Sequence, residues 1–124
     1  MELGTFSVSL AVEDLAKSRS FYESLGFEVV GGQAEHHYLI LQNGVAVVGL
    51  FEGLFEGNIL TFNPGWSGPH EEVEGDFADV RTLAAHLEEQ GIELQQKQLE
   101  GDDGPGSFVA VDPDGNPILV DQHR

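Results

Sequence analysis

Residues Val12–Val29 read VEDLAKSRSFYESLGFEV, and residues Phe77–Leu94 read FADVRTLAAHLEEQGIEL. With Asp14 placed over Asp79, an offset of 65 residues, the two stretches share a pattern more than a vocabulary. Leu15 meets Val80, Glu23 meets Glu88, Gly26 meets Gly91, and Phe27-Glu28-Val29 meets Ile92-Glu93-Leu94. Each match has a mechanical reason. A carboxylate at Asp14 or Asp79 can accept the orphan amide hydrogens of a helix's first turn. Leu15, Ser18, Tyr22 and Leu25 fall at helical spacing, as do Val80, Leu83, Ala84 and Leu87. Gly26 and Gly91 suit the left-handed residue that ends a helix. Apolar, extended residues follow each glycine, so both copies predict a helix and then a strand.

The flanks repeat as well. In TFSVSLAV, Thr5–Val12, the residues Val8, Leu10 and Val12 alternate with Ser7, Ser9 and Ala11, giving an apolar face and a small, polar-tolerant one. In NILTFNPG, Leu60 and Phe62 alternate with Ile59, Thr61 and Asn63. Asn43-Gly44, between the apolar runs of HYLILQNGVAVVGLF, is a strong hairpin signal. In SFVAVDPDGNPILVDQ, Asp112-Pro113-Asp114-Gly115 reads as a four-residue turn with proline where a type I turn favours it. The chain therefore predicts β-α-β-β-β twice. Strands are expected near 5–12, 27–31, 37–42, 45–51, 58–63, 92–98, 107–112 and 117–121, with helices near 14–25 and 79–90. This is a single α+β domain over 1–124, with modules at about 1–53 and 57–124. PGWSGPHEEVEGD, residues 64–76, interrupts the second module and reads as a loop rather than an element. Connections of that length are often lids or binding loops. GDDGPG at 101–106 is a smaller polar loop.

Composition limits the partners. The chain has 124 residues, 5 Lys+Arg against 22 Asp+Glu, a formal charge of −17, and no cysteine. A nucleic-acid footprint needs clustered cations, and an anionic membrane surface needs the same, so neither is expected as a partner. Disulfides, thiolate metal sites and cysteine nucleophiles are excluded together. With no apolar run of about 20 residues and no signal-peptide pattern behind Met1, a soluble, cytoplasmic protein is expected. No nucleophile elbow, P-loop or dinucleotide fingerprint is present; GDDGPG and VVGG have the wrong spacing.

The tandem modules, together with Val12-Glu13-Asp14-Leu15, Ser18, Phe21-Tyr22, Leu25-Gly26-Phe27 and Asp112-Pro113-Asp114-Gly115, resemble the vicinal-oxygen-chelate superfamily. That superfamily includes glyoxalase I, extradiol dioxygenases, fosfomycin-resistance enzymes and bleomycin-resistance proteins. The resemblance spans essentially the whole chain, and its residues are structural, so it speaks to fold before chemistry. It implies two modules forming a curved, eight-stranded cup with helices outside, and often a homodimer. In the family's metalloenzymes it implies one divalent metal in the cup, held by a residue from each module's first strand and one from each last strand. Carried onto this chain, those positions fall on Ser7, near Ile59, on Gly49 or Val48, and on Leu119. One hydroxyl and several aliphatic residues or glycine make no usual site, so no metal and no other cofactor is expected.

Other donors are scattered. His36 and His37 are adjacent on or beside a strand and point to opposite faces. Glu52 lies just past a strand as a solvated end residue, His86 lies off the apolar stripe of its helix, His70 is in the long loop, and His123 is near Arg124. Strand parity instead assigns Ser7, Ser9, Gly49, Phe51, Thr61, Asn63 and Leu119 to a small, mostly apolar chamber, with Trp66 as its roof. An indole there suits stacking on a planar ligand. The expected function is a metal-independent, small-molecule binding protein of the bleomycin-resistance type. The alternatives are a metal-dependent lyase, isomerase or dioxygenase with displaced ligands, and a non-catalytic interaction module.

Overall fold

The computed structural model describes residues 1–124. The chain divides into two compact units, Ser7–Ile59 and Met1–Phe6 with Leu60–Arg124. Both are α+β, and both follow the β-α-β-β-β plan.

In the first unit the elements are β1 (Thr5–Val12, its first two residues belonging to the other unit), α1 (Leu15–Ser24), β2 (Glu28–Gln33), β3 (Tyr38–Asn43) and β4 (Ala46–Glu52). The strand order is β2-β3-β4-β1. β1 runs parallel to β4 with Ser9 beside Gly49, while β3 pairs antiparallel with β4 and β2. Alternation does the rest. Leu10, Val12, Leu39, Leu41, Val48 and Leu50 turn toward Leu15, Tyr22 and Phe27 to form the core. Leu41 and Leu50 are wholly inaccessible to solvent.

The second unit has β5 (Ile59–Asn63, after its first residue), α2 (Val80–Glu89), β8 (Gln95–Gln98), β9 (Gly106–Val111) and β10 (Pro117–Gln122). Between β5 and α2 come two short strands, β6 (Trp66–Gly68) and β7 (Glu71–Glu72). The main order is β5-β10-β9-β8, with β5 parallel to β10 and Thr61 beside Leu119. Val80, Leu83, Ala84, Leu94, Phe108, Ala110 and Val120 form its core.

The helix ends confirm the doubled motif. Asp14 accepts from the Lys17 amide at 3.1 Å and Asp79 from the Arg81 amide at 2.8 Å. Gly26 and Gly91 are left-handed, at φ 97° and 84°. Phe27 N–H reaches Tyr22 O and Gly26 N–H reaches Glu23 O; Ile92 with Leu87 and Gly91 with Glu88 repeat both bonds. This is the Schellman pattern, made twice.

Four expectations shift. Residues 64–76 are not plain loop: they contain the β6–β7 hairpin, because Trp66 and Gly68 pair across the turn with Glu72 and Glu71. The two-residue loop after β3 is Gly44-Val45, since Asn43 itself pairs with Ala46. The strand expected at 92–98 begins at Gln95, and its ladder to β9 is interrupted where Gln96 takes φ 48°. Leu25 caps α1 rather than joining its buried stripe, and is 56% exposed.

Candidate functional site

In the first unit Ser7, Ser9, Gly49 and Phe51 alternate with the core residues of β1 and β4 and so lie on the sheet face opposite α1. Ser9 and Gly49 are buried. A Cβ at Gly49 would stand 2.6 Å from Cε1 of Phe51 and 3.3 Å from Cδ1 of Ile40. The glycine is therefore covered by a ring, not facing open space. That ring stacks on Tyr38 at 5.6 Å and 5°, across the β3–β4 ladder, and meets Phe55 at 5.2 Å and 47°. Tyr38 and Phe55 complete an aromatic wall that the sequence reading missed. Tyr38 has the same parity as Ile40 on β3, a signal visible only once the strand register is known.

In the second unit Thr61, Asn63 and Leu119 lie on the face opposite α2. Thr61 and Asn63 are buried. Asn63 donates its side-chain amide to Asp121 O at 2.8 Å, which ties β5 to the end of β10. Asp121 approaches His123 Nε2 at 3.3 Å. The His123 ring stacks on Trp66 at 4.7 Å and 15°, and His70, left-handed at the hairpin turn, meets the same indole at 5.0 Å and 50°. The Asp121 carboxylate holds the His123 imidazole above its ordinary pKa, against the opposing effect of partial burial. Arg124 fastens the hairpin: its Nη1 donates to Gly65 O at 3.1 Å and Val73 O at 3.0 Å, and its guanidinium lies 4.6 Å over Phe77. Trp66 thus sits in a histidine-lined bracket, with one indole face already covered by His123.

The remaining donors have other work. Glu52 is not a solvated end residue: its Oε2 accepts the Leu15 amide at 2.8 Å and caps α1. His37 Nδ1 lies 3.6 Å from Glu52 Oε1, with His36 closing a short 3-10 turn just before it. His86 is exposed on α2. Gln122, 1% exposed, occupies in β10 the place Glu52 has in β4. Its Oε1 accepts the Val80 amide at 2.7 Å, and its Nε2 donates to Asp79, Gly104 O and Arg124 O. Burial pushes the Asp79 carboxyl upward, but the bonds from Gln122 and from the Arg81 amide and guanidinium outweigh it and hold the group below its usual pKa. Arg81 in turn holds the 101–106 loop through Glu100 O, Gly104 O and Pro105 O.

The family's metal positions can be tested against this geometry. Leu119 and Ile59 carry no donor, Ser7 offers a hydroxyl, and the Phe51 ring takes the space that a carboxylate at Gly49 would need. These residues do not fit a divalent ion. No cluster of three or more His, Asp or Glu is arranged to hold one.

Residues 5–120 match the profile of the glyoxalase/bleomycin resistance protein/dioxygenase superfamily. The chain belongs to that superfamily. Among solved structures it is similar to a glyoxalase/bleomycin resistance protein/dioxygenase superfamily member from Vibrio splendidus 12B01, at 20% identity over 94% of this chain and 97% of that one, with a TM-score of 0.64. It is also similar to the Mn(II)-bound glyoxalase from Novosphingobium aromaticivorans, at 22% identity over 94% of this chain, 37% of that chain and a TM-score of 0.56. A Streptomyces coelicolor methylmalonyl-CoA epimerase, in complex with 2-nitronate-propionyl-CoA, is similar at 16% identity over 98% and 99% of the two chains, with a TM-score of 0.60. At such identities the likeness establishes the fold alone. No curated protein matches the chain. No helix is long and apolar enough to cross a membrane.

Proposed function

We propose that the chain is a small-molecule binding protein of the bleomycin-resistance kind, which holds its ligand without a metal. The observation that carries this reading is the Phe51 ring lying over Gly49, where a metalloenzyme of this superfamily would present a carboxylate. An aromatic ring there exchanges ion chemistry for stacking. Tyr38 and Phe51 are parallel to within 5°, and neither is fully buried. A flat, apolar guest can extend that stack, while Ser7 and Ser9 on the same face supply hydroxyl groups for orientation. On the second unit, taken by itself, Thr61, Asn63 and Leu119 supply a small, weakly polar surface, with Trp66 at its hairpin. The protein acts as a cytoplasmic homodimer in this reading.

The test uses protein purified without a polyhistidine tag. Metal analysis followed by titration with Ni, Zn, Mn and Fe(II) should find sub-stoichiometric metal and no thermal shift. A thermal-shift screen of planar aromatic and antibiotic-like compounds should find stabilising ligands, and Phe51→Ala should abolish the shift. Quenching of Trp66, the chain's single tryptophan, would report a ligand near the hairpin. Stoichiometric, activity-supporting metal would overturn the reading in favour of a lyase, isomerase or dioxygenase. Sedimentation velocity tests the dimer.

A further inference from the structure

The two Schellman turns differ in what packs on them. In the first unit the apolar contact that accompanies the motif is aromatic: Tyr22 and Phe27 meet edge to face at 5.5 Å and 85°. The same two places in the second unit hold Leu87 and Ile92, and both border a cavity of about 750 Å³. Two aliphatic side chains stand where the first module has two rings. Phe62, Phe108 and Ile118 form the sheet wall of this cavity, and Met1 and Leu3 form another side. Phe108 also belongs to the core beneath α2, so the cavity lies on the helix side of the sheet, away from the face carrying Thr61 and Leu119. Its volume falls in the range of small-molecule pockets, roughly 300–1,000 Å³.

The polar groups on the wall choose the guest. Among side chains they are Glu93, Gln95 and Asp112, with no Lys, Arg or His side chain. Asp112 is spent on its own turn: Oδ1 accepts the amides of Asp114 and Asn116, and Oδ2 accepts the Asn116 side chain at 2.8 Å. Glu93 is exposed and takes part in none of the protein's ion pairs, so its carboxylate is available. The chain's charge of −17 adds a field that draws cations and repels acyl anions. We propose that this cavity binds a small aliphatic ligand with a cationic head, its tail against Phe62, Phe108 and Ile118 and its ammonium beside Glu93. The proposal stands apart from the ligand site inferred above, since it uses the opposite face of the sheet.

The experiment is calorimetric titration of the full chain with decyltrimethylammonium and decanoate, each below its micelle concentration. The ammonium should bind saturably with one site per chain, and decanoate about tenfold or more weakly by comparison. Leu87→Tyr with Ile92→Phe carries the first module's rings into the cavity and should weaken the ammonium by about tenfold or more, with the melting temperature held or raised. Glu93→Lys, at an exposed position, should reverse the preference between ammonium and decanoate. Phe51→Ala should leave this binding unchanged, which separates it from the site inferred above. The proposal is overturned by absence of saturable binding, by equal affinity for decanoate, or by affinity that survives both the ring transfer and Glu93→Lys. A change of oligomeric state in the ring-transfer variant, with no probe bound by the parent, would assign the cavity to a second copy and overturn it equally.

Discussion

Glu52 and Gln122 hold the same post in the two modules and do it differently. Each ends its module's last strand and accepts the first amide of its module's helix, Leu15 at 2.8 Å and Val80 at 2.7 Å. Glu52 is half-exposed and charged, and its other oxygen has only a 3.6 Å contact with His37. Gln122 is buried and neutral, and satisfies four partners across α2, the 101–106 loop and the residues after β10. The repeat has kept the backbone register and the capping duty while loading the second copy with extra tasks. Where a junction holds more of the structure, a neutral amide with both donors and acceptor in use avoids burying a charge.

That contrast ranks the expected effects. Gln122→Ala should be the most damaging, at about 3 kcal/mol, because it strips the buried Val80 amide and the Arg124 carbonyl of their partner and leaves Gly104 O to Arg81 alone. Urea denaturation measures it, and a loss as small as that of Glu52→Ala would remove the distinction between the modules. Next is Gly49→Ala, which forces Phe51 off its seat and should destabilise by about 2 kcal/mol. A neutral result would mean that the ring moves freely and that the aromatic wall is not fixed. Glu52→Ala should lose about 1 kcal/mol, the usual value of a helix cap, as seen in the same unfolding experiment. The smallest effect belongs to His123→Gln, at no more than about 1 kcal/mol and dependent on pH. Because the folded-state pKa of His123 is raised, its stabilisation is complete below the unfolded histidine value and fades as pH rises through the folded one. Parent and variant should therefore differ in acid and converge in base; the reverse order would refute the pairing with Asp121.

The sequence made the repeated frame readable because its signals are local. Caps, closing glycines, the Asp-Pro-Asp-Gly turn and strand parity all act within a few residues, and they placed Ser7, Ser9, Gly49 and Phe51 on one face. The capping roles of Glu52 and Gln122 were not readable, since their partners lie 37 and 42 residues away. The hairpin at 66–72 was hidden by the glycines and prolines of residues 64–76, and its clamp is Arg124, 51 residues beyond Val73. Phe51 over Gly49 stood in between: a ring two residues from a glycine on one strand is local, yet which way the ring leans depends on Tyr38 across the ladder.

Both modules marry their first strand to their last. Val8 beside Val48 closes 40 residues, and Leu60 beside Ile118 closes 58. Neither ladder can form until nearly the whole module has been gathered, so the entropy of closing the chain is met before any parallel bond rewards it. The longer circuit of the second module, lengthened by its hairpin, should make it the slower to assemble. In refolding followed by quenched-flow pulsed hydrogen exchange, amide protection of β5 and β10 is expected to lag behind that of β1 and β4.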